Sequence, residues 1–407
     1  MERPYPKLIV TDKAARALKG GHPWVYAGEV LTAGDPCADG EIADVCTQKG
    51  RWLGAGFYNS HSLIRVRVLT RNTNDRMDRA FFARRIRYAL DYRRAVMGPG
   101  FACCRLIFGE ADGFPGWTVD RFGDVLVSEV LSLGVEMRRE MLYDLLRQTL
   151  SEMGVDVRVI CERNESALRE KEGMERGKGF FAAPGLDAAP GGRTEICENG
   201  IFYEVDYLNG QKTGFFLDQK YNRAAAARLA PGRRVLDCFT HTGAFALNCA
   251  AAGAESVTAV DVSADALAQA ARNAARNGLT ERITFLKEDV FDYLTRLGEE
   301  KKKPYDYIIL DPPAFTKSGA TVDNARRGYR EINRRAMSIL PRGGYLATCS
   351  CSHFMTEELF RAMLADAARD AAVSLRQIEA RQQAPDHPVL WGVPETYYLK
   401  FYLFQVV

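Results

Sequence analysis

Residues 235–243 read Val-Leu-Asp-Cys-Phe-Thr-His-Thr-Gly, and this stretch decides the fold. A short apolar run ends in an acidic residue, and a glycine then precedes an Ala-rich segment with helical spacing. A strand, a tight turn and a helix in this order predict the start of a βαβ unit. The turn lacks the three glycines that cradle a pyrophosphate, and its carboxylate would repel phosphates. It therefore favours a cationic ligand.

Apolar runs alternate with helical segments from Arg234 to the end of the chain. Strands are predicted at 235–237, 257–260, 283–286, 307–310 and 345–348, and residues 399–404 supply one more. This alternation predicts a parallel sheet covered by helices on both faces. Ligands of such sheets bind beyond the carboxyl ends of the strands. The residues just after each strand are therefore the candidates for a binding site.

Acidic residues occupy four of these strand ends: Asp237, Asp261, Asp289 and Asp311. A carboxylate at the end of the second strand can accept hydrogen bonds from both hydroxyls of a ribose. Asp289 suits the amino group of an adenine, and Val290 suits its ring. Each carboxylate alone would be interpreted as an exposed turn residue. The first three together favour a cofactor that contains a nucleoside.

Two further regions precede this sheet. Short alternating runs up to about Leu69, broken at 34–36 and 54–56, predict a small β-rich unit. Between Arg76 and Arg94 the spacing is helical and seven arginines occur. A solvated helix face and an RNA-facing one remain equally open for them.

A central region follows, with strand-like runs near 105–108, 125–130 and 157–161 and a helix near 136–153. Residues 177–192 are rich in glycine, proline and alanine and predict a long loop. A domain boundary is expected there. The predicted domains are residues 1–72, 73–190 and 191–407.

Composition excludes several classes of protein. Lys and Arg total 55 against 52 Asp and Glu, a formal charge of +3, so nucleic acid would have to be bound by local patches. No apolar run is long enough for a membrane helix, and the first residues lack the apolar core of a signal peptide. We therefore expect a soluble cytoplasmic protein without a membrane partner. Ten cysteines without a paired C-x-x-C pattern predict reduced thiols and no metal site.

The fourth strand end, residues 311–315, reads Asp-Pro-Pro-Ala-Phe. It resembles the Asp-Pro-Pro motif of class I S-adenosylmethionine methyltransferases, which lines the target base in that family. Across the whole chain, the ordered motifs are more closely similar to bacterial 23S ribosomal RNA cytosine-5 methyltransferases with an N-terminal PUA domain. The motifs that carry this resemblance are residues 22–26, 212–219, 311–315, 327–333, 350–352 and 386–388. One departure is Ala314, at a position where many relatives carry lysine.

The resemblance implies an α/β protein with a Rossmann-like catalytic domain, an N-terminal β-rich PUA-like domain and a central α+β domain. It implies S-adenosyl-L-methionine as the cofactor and ribosomal RNA, of the large subunit or its precursor, as the partner; a homodimer is compatible with the sequence. Twelve residues are expected near the cofactor: Thr213, Asp218, Asp237, Phe239, Thr242, Gly243, Asp261, Val262, Asp289, Val290, Asp311 and Pro312.

Two thiols lie at the end of the fifth strand, Cys349 and Cys351. Carbon 5 of cytosine is a poor nucleophile, so its methylation requires a thiolate that adds to carbon 6. We interpret Cys349 as a buried strand residue, whereas the family pattern implies Cys351 as the nucleophile. Asp311 would hydrogen-bond the base near its N3 and N4 edge. His353 is a candidate proton acceptor, although a surface histidine is the commoner explanation.

Other functions stay open at this point. A base N-methyltransferase would use an Asp-Pro-Pro loop without needing a thiol, and a non-catalytic RNA-binding or assembly factor could retain the cofactor fold. A small-molecule methyltransferase fits poorly with the β-rich N-terminal region.

Overall fold

The computed structural model describes residues 3–33, 36–316 and 321–407. Gly34 and Asp35, in the predicted break at 34–36, lie outside the described residues. The chain forms two compact units, each assembled from several segments. The first unit comprises Met1–Thr194, Val205–Leu217 and Pro385–Thr396, and the second comprises Glu195–Glu204, Asp218–Ala384 and Tyr397–Val407.

This division differs from the three consecutive domains predicted from the sequence. Residues 205–217 and 385–396 were assigned to the catalytic domain, and they belong to the first unit. We call Pro385–Thr396 the return segment. Local sequence patterns do not reveal such returns, because the contacts that hold them are made by residues far apart along the chain.

Within the described residues, the N-terminal part of the first unit contains an α-helix and a six-stranded sheet, and the alternating runs predicted such a β-rich unit. The elements are β1 (Lys7–Val10), α1 (Asp12–Lys19), β2 (Trp24–Tyr26), β3 (Val30–Ala33), β4 (Ile42–Thr47), β5 (Trp52–Tyr58) and β6 (Ile64–Thr70). The strand order in this N-terminal sheet is β2-β6-β5-β4-β1-β3. Thr11 caps α1, and Ala14 and Leu18 of this helix pack into the core of the sheet.

The central part of the first unit is a five-stranded sheet with helices. Its elements are α2 (Arg79–Met97), β7 (Cys103–Phe108), β8 (Trp117–Phe122), β9 (Val125–Val130), α3 (Leu133–Glu136), α4 (Arg139–Glu152), β10 (Val159–Asn164), α5 (Leu168–Lys171) and β11 (Gly177–Phe180). The strand order is β11-β10-β9-β8-β7. The long loop predicted for 177–192 is wrong in its first four residues. They form an edge strand that pairs antiparallel with β10 through backbone hydrogen bonds, which its glycines do not prevent.

The arginines of the 76–94 segment do not all share one environment: Arg76, Arg79, Arg84 and Arg94 are exposed, as a solvated helix face requires, whereas Arg93 is not. Arg93 is fully buried and donates to Asp112 Oδ2 at 2.7 Å, so it is an interior ion pair. Arg84 lies 3.0 Å from Asp75, and Arg79 and Arg87 also pair with carboxylates. Most of the segment's charge is therefore neutralised within the first unit.

The second unit is built on a seven-stranded sheet. After the two-stranded pair β12 (Arg193–Glu198) and β13 (Ile201–Asp206), its elements are α6 (Lys220–Ala227), β14 (Arg234–Cys238), α7 (Ala244–Ala251), β15 (Ser256–Asp261), α8 (Ala264–Arg276), β16 (Ile283–Lys287), α9 (Val290–Glu299), β17 (Tyr307–Leu310), α10 (Val322–Ile339), β18 (Tyr345–Ser350), α11 (Glu357–Asp370), β19 (Leu375–Arg381) and β20 (Lys400–Val406). All predicted strands after Arg234 are confirmed, and β19 was missed.

The strand order is β16-β15-β14-β17-β18-β20-β19. Strands β14 to β18 run parallel to one another, and β20 runs antiparallel to both β18 and β19. In register, Cys238 of β14 lies opposite Leu310 of β17, which lies opposite Thr348 of β18. The carboxyl ends of these strands therefore reach the same edge of the sheet, which positions the candidate site.

No helix among the described residues is long and apolar enough to cross a membrane.

Candidate functional site

Asp237, at the end of β14, is a buried carboxylate with only one of its two oxygens satisfied. Its Oδ2 accepts hydrogen bonds from Thr240 Oγ1 at 2.6 Å and from the N–H of Ala246 at 3.0 Å. Its Oδ1 is buried and has no hydrogen-bond partner within the described part of the chain. Burial raises the pKa of this carboxyl from 3.8 to about 7, and the hydrogen bonds offset only part of that effect. A cation beside Oδ1 would lower this pKa again and keep the carboxyl ionised.

The loop after β14 adopts a strained backbone. Phe239 and His241 have φ angles of 62° and 51°, in the left-handed region that residues with a Cβ rarely adopt. Gly243 follows with φ 83°, and a Cβ built there would lie 3.0 Å from Cβ of Ala270. Such strain persists where the surrounding structure fixes it, and it is concentrated at functional sites. The loop is therefore held in one shape above the sheet.

The next two strand ends hold their carboxylates by backbone hydrogen bonds. Asp261 accepts from the N–H of His241 on one oxygen and from the N–H of Ser263 on the other, each at 2.9 Å. Asp289 caps α9 by accepting from the N–H of Phe291 at 2.8 Å. Oδ1 of Asp289 also accepts from the N–H of Asp292 at 3.2 Å, so Oδ2 is the oxygen that can accept from a ligand. Each oxygen of Asp261 keeps a second lone pair, so both side chains can still accept hydrogen bonds.

The apolar candidates differ in exposure. Val262 is 60% exposed and Val290 is buried in the core of the second unit. Thr242 is buried, and its carbonyl accepts from Asn273 Nδ2 at 3.3 Å. Phe239 packs against the same core as a partly buried residue.

Asp311 and Pro312 begin the loop after β17. Gln219 Nε2 donates to Asp311 Oδ1 at 3.0 Å. Burial, together with the negative charge of Asp218, raises the pKa of Asp311 from 3.8 to about 6. Pro312 is buried and directs its carbonyl oxygen towards Cys351, whose Sγ lies 4.0 Å away.

The two thiols at the end of β18 have different environments. Cys349 is fully buried within the strand, and burial raises its pKa well above the usual value. Cys351 lies just beyond the last strand residue, Ser350, and is half-buried. Next to it, Nδ1 of His353 is buried and lacks a hydrogen-bond partner among the residues the structure describes.

Lys400 and Gln219 were not identified from the sequence. Lys400 is buried at the start of β20, and its Nζ donates to the carbonyls of Ser352 at 2.6 Å and Tyr398 at 2.9 Å. Burial lowers its pKa to about 8, and the charge of Cys351 acts in the opposite direction. A lysine at the start of an apolar strand was the available signal, because a lysine is seldom fully buried without a role.

Thr213 and Asp218 belong to different units. Thr213 lies in the first unit, where its hydroxyl donates to Asp120 Oδ2 at 2.6 Å. Asp218 lies in the second unit and accepts from the Tyr398 hydroxyl at 2.6 Å. A role for Thr213 at the cofactor stays a prediction.

The family of S-adenosylmethionine-dependent methyltransferases matches residues 143–405 of this chain, and a PUA-like domain matches residues 8–71. The chain belongs to this methyltransferase family. It is 38% identical over 405 residues to ribosomal RNA large subunit methyltransferase I of Klebsiella pneumoniae, covering 99% of both chains. It is 42% identical over 387 residues to the protein of that name from Shewanella amazonensis, covering 95% of both.

Solved structures support the methyltransferase fold. A Streptococcus mutans protein described as a SAM-dependent methyltransferase superposes with a TM-score of 0.82 at 22% identity, over 98% of this chain and 100% of the other. A methyltransferase crystallised with SAH gives a TM-score of 0.83 at 22% identity over the same shares of both chains. The predicted fold class, a class I methyltransferase domain preceded by a β-rich PUA-like domain, is confirmed.

S-adenosylmethionine is the cofactor of this methyltransferase, as predicted. The site has features that suit it. The buried, unpartnered Oδ1 of Asp237 fits a cationic group, and S-adenosylmethionine carries a sulfonium and an ammonium.

Proposed function

We propose that this methyltransferase transfers a methyl group to carbon 5 of a cytosine in 23S ribosomal RNA through a covalent adduct with Cys351. The observation that carries this proposal is the position of Cys351 just past β18, with its sulfur 4.0 Å from the carbonyl of Pro312 in the Asp-Pro-Pro loop. A half-buried thiol at this edge can reach a base, whereas the fully buried Cys349 cannot. The names of the relatives support ribosomal RNA as the substrate, and bacterial ribosomal RNA lies in the cytoplasm.

The thiolate of Cys351 attacks carbon 6 of the cytosine, and the electron pair of the C5–C6 double bond moves towards N3 and carbon 5. Carbon 5 would then take the electrophilic methyl group of bound S-adenosylmethionine, as the bond between that methyl and the sulfonium sulfur breaks and S-adenosylhomocysteine is left. A base then removes the proton of carbon 5, the C5–C6 double bond re-forms and the thiolate of Cys351 leaves. The enzyme is regenerated with its thiol unchanged.

Asp311 and Lys400 assist this sequence in the proposed mechanism. A carboxyl whose pKa is raised to about 6 can donate a proton towards N3 as negative charge develops there. Lys400 holds the carbonyl of Ser352, the residue after Cys351, and its positive charge stabilises the nearby thiolate. Lys400 is therefore a positioning residue.

The cofactor is assigned to the strand ends of the second unit. Asp237 would face a cationic group of S-adenosylmethionine, Asp261 the ribose hydroxyls and Asp289 the adenine amino group. Phe239, Thr242 and Gly243 would shape the turn, and Val262, Val290, Pro312 and Asp218 would line the remaining surface.

A trapping experiment tests the covalent step. RNA carrying 5-fluorocytosine cannot release a proton from carbon 5, so the adduct should accumulate on the wild-type enzyme in the presence of cofactor. Cys351→Ala should form no adduct and lose methyl transfer, with cofactor affinity near normal, because the thiol acts on the reaction path more than on ground-state binding. Denaturing gels and peptide mapping would detect the complex.

Cys349→Ala is the matched control, because the two thiols are two residues apart. It should lose stability, since removing a buried side chain leaves a small cavity, but keep most activity. An adduct that maps to Cys349 would reverse the assignment of the thiols. Methylation at a base nitrogen without an adduct would show that the enzyme is an N-methyltransferase.

A further inference from the structure

A cavity of about 640 Å³ lies within the first unit, in the part of the chain not assigned to cofactor binding. Four parts of the unit line it: the N-terminal sheet with its α1–β2 loop, helix α2, the loop after β7, and the return segment. His22, Arg71, Tyr88 and Leu390 are among the lining residues. A volume of this size lies in the range of small-ligand pockets, which is roughly 300–1,000 Å³.

The return segment is fixed firmly against the rest of the first unit. A Cβ on Gly392 would lie 3.0 Å from Cα of Gly21, so the two backbones approach as closely as glycines allow. Nε2 of His22 lies 3.3 Å from a carboxylate oxygen of Glu395. Tyr92 donates its hydroxyl to the carbonyl of Pro385 at 3.0 Å. The segment therefore presents its side chains from a rigid support.

Aromatic side chains near the cavity are unusually exposed. Trp391, which follows the lining residue Leu390, is 96% exposed, and Tyr88 on α2 is 63% exposed. Leaving a whole indole ring in water gives up the free energy of burying a large apolar surface. Exposed tryptophan and tyrosine on a rigid support are typical of binding surfaces.

Two arginines of the cavity wall, Arg71 and Arg85, donate to backbone carbonyls and not to carboxylates of the described residues. Arg85 donates to the carbonyls of Leu69 and Gly113, and Arg71 donates to that of Leu18. Within the described ranges, neither guanidinium is found in an ion pair with a carboxylate.

The acidic residues of the wall, by contrast, all have donors. Asp75 accepts from Thr70 and Arg84, Asp112 from Arg93, and Glu110 from Trp24. An anionic group entering the cavity would therefore meet available positive charge, while the negative charge is already engaged.

We propose that this cavity and the adjacent Trp391 bind a single-stranded segment of the RNA substrate, with one base stacked on Trp391, another on Tyr88, and a phosphate beside Arg71 and Arg85. Stacking on aromatic rings combined with basic side chains is how proteins hold unpaired RNA, since every base offers a flat face to stack. The inference rests on the proposed function in that it takes RNA as the ligand. It adds a second binding site, which holds the RNA at nucleotides other than the methylated cytosine.

The test measures the affinity of the full-length protein for a 12-nucleotide oligoadenylate and for a duplex RNA of equal length. Trp391→Ala should weaken binding of the single strand about tenfold, in line with the loss of one stacked base. Trp391→Phe should recover most of the affinity, and Tyr88→Ala should weaken it as well. Binding of the duplex should be unchanged in all three variants, because its bases are not free to stack on protein rings.

Leu168→Ala is the matched control, since Leu168 is 51% exposed in the same unit and does not line the cavity. It should bind both RNAs as the wild type does. Arg71→Gln should lower the slope of log affinity against log salt by about one, as expected for a lost phosphate contact. All variants should keep the wild-type thermal unfolding midpoint measured by circular dichroism, which shows that the first unit is folded.

Equal affinity of the wild type, Trp391→Ala and Tyr88→Ala for the single strand would overturn the proposal, as would a wild type that binds no single strand. If such a protein still forms the 5-fluorocytosine adduct, the cavity proposal is wrong and the proposed function stands. If stacking is lost as expected but no adduct forms, the cavity binds RNA and the proposed function is wrong. An equal loss of duplex affinity in Trp391→Ala would assign the surface to double-stranded RNA and overturn the proposal.

Discussion

At the scale of single residues, Asp237 carries a conflict between stability and function. In the unfolded chain this carboxyl ionises near pH 3.8, whereas burial raises its pKa in the native state to about 7. Between these two pH values the native state binds more protons than the unfolded state, so the free energy of unfolding falls as pH rises. Above about pH 7 the buried carboxyl is ionised, and the native state keeps the full loss of stability. A cationic ligand would relieve it.

Asp237→Asn should therefore stabilise the cofactor-free protein at pH 8 by a few kcal/mol, since each unit of pKa difference corresponds to about 1.4 kcal/mol. At pH 4 the variant and the wild type should have nearly equal stability. Urea unfolding at the two pH values measures both. The same substitution should weaken cofactor binding by calorimetry and abolish its dependence on pH between 5 and 7. A variant less stable than the wild type at pH 8 would contradict the argument.

Lys400 is the second residue whose position points to a role in the reaction. Its Nζ donates to the backbone carbonyls of Ser352 and Tyr398, and its positive charge acts on Cys351. Lys400→Met should lower the rate of methyl transfer at least tenfold without changing cofactor affinity. It should also shift the alkylation of Cys351 by iodoacetamide to higher pH, because the thiolate loses a neighbouring cation. Unchanged alkylation with reduced activity would limit Lys400 to a structural role.

At the scale of elements, the candidate carboxylates could be predicted because they follow strands of a parallel sheet. Asp237, Asp261 and Asp311 all come directly after apolar runs, and parallel strands bring their carboxyl ends to one edge. The position of Cys351 relative to Cys349 followed from where the strand ends. These inferences use only local pattern and the geometry of one sheet.

Features that depend on contacts between distant parts of the chain could not be predicted. Gln219 reaches Asp311 from a helical turn that precedes the sheet. Lys400 starts the last strand, whose antiparallel pairing with β18 brings Lys400 opposite Ser350. The return segment joins the first unit although it lies between two strands of the second. None of these contacts leaves a periodic signal in the sequence.

The turn after β14 offers a test of backbone strain. Phe239 has a φ of 62°, where glycine is favoured over alanine by roughly 1 kcal/mol. Phe239→Gly and Phe239→Ala both remove the phenyl ring, so the difference between their free energies of unfolding reports on the backbone conformation alone. The glycine variant should be the more stable by about 1 kcal/mol, against the usual order at positions with ordinary φ. A more stable alanine variant, measured by urea unfolding, would mean that the turn relaxes when the ring is lost.

At the scale of the whole molecule, the two units can be followed separately. All four tryptophans, at positions 24, 52, 117 and 391, belong to the first unit, so tryptophan emission reports on it alone. Within that unit a buried group joins the N-terminal sheet to the central part. Glu172 accepts from Arg67 at 2.8 Å and from Asn59 at 3.2 Å, and it also accepts from Ser62.

Glu172→Ala should leave Arg67 with Glu110, 3.5 Å away, as its remaining carboxylate, so the cost should lie below the roughly 3–5 kcal/mol of leaving a buried charge without any partner. The thermal transition seen by tryptophan emission should therefore move to lower temperature. Hydrogen exchange followed by mass spectrometry should show faster exchange in β4 to β10 and little change in β14 to β18. S-adenosylmethionine at 100 times its Kd should slow exchange in β14 to β18, because a ligand at that excess stabilises its site by about 2.7 kcal/mol. Equal acceleration in both units by Glu172→Ala would mean that they unfold as one, and the stability of the first unit would then be inseparable from that of the second.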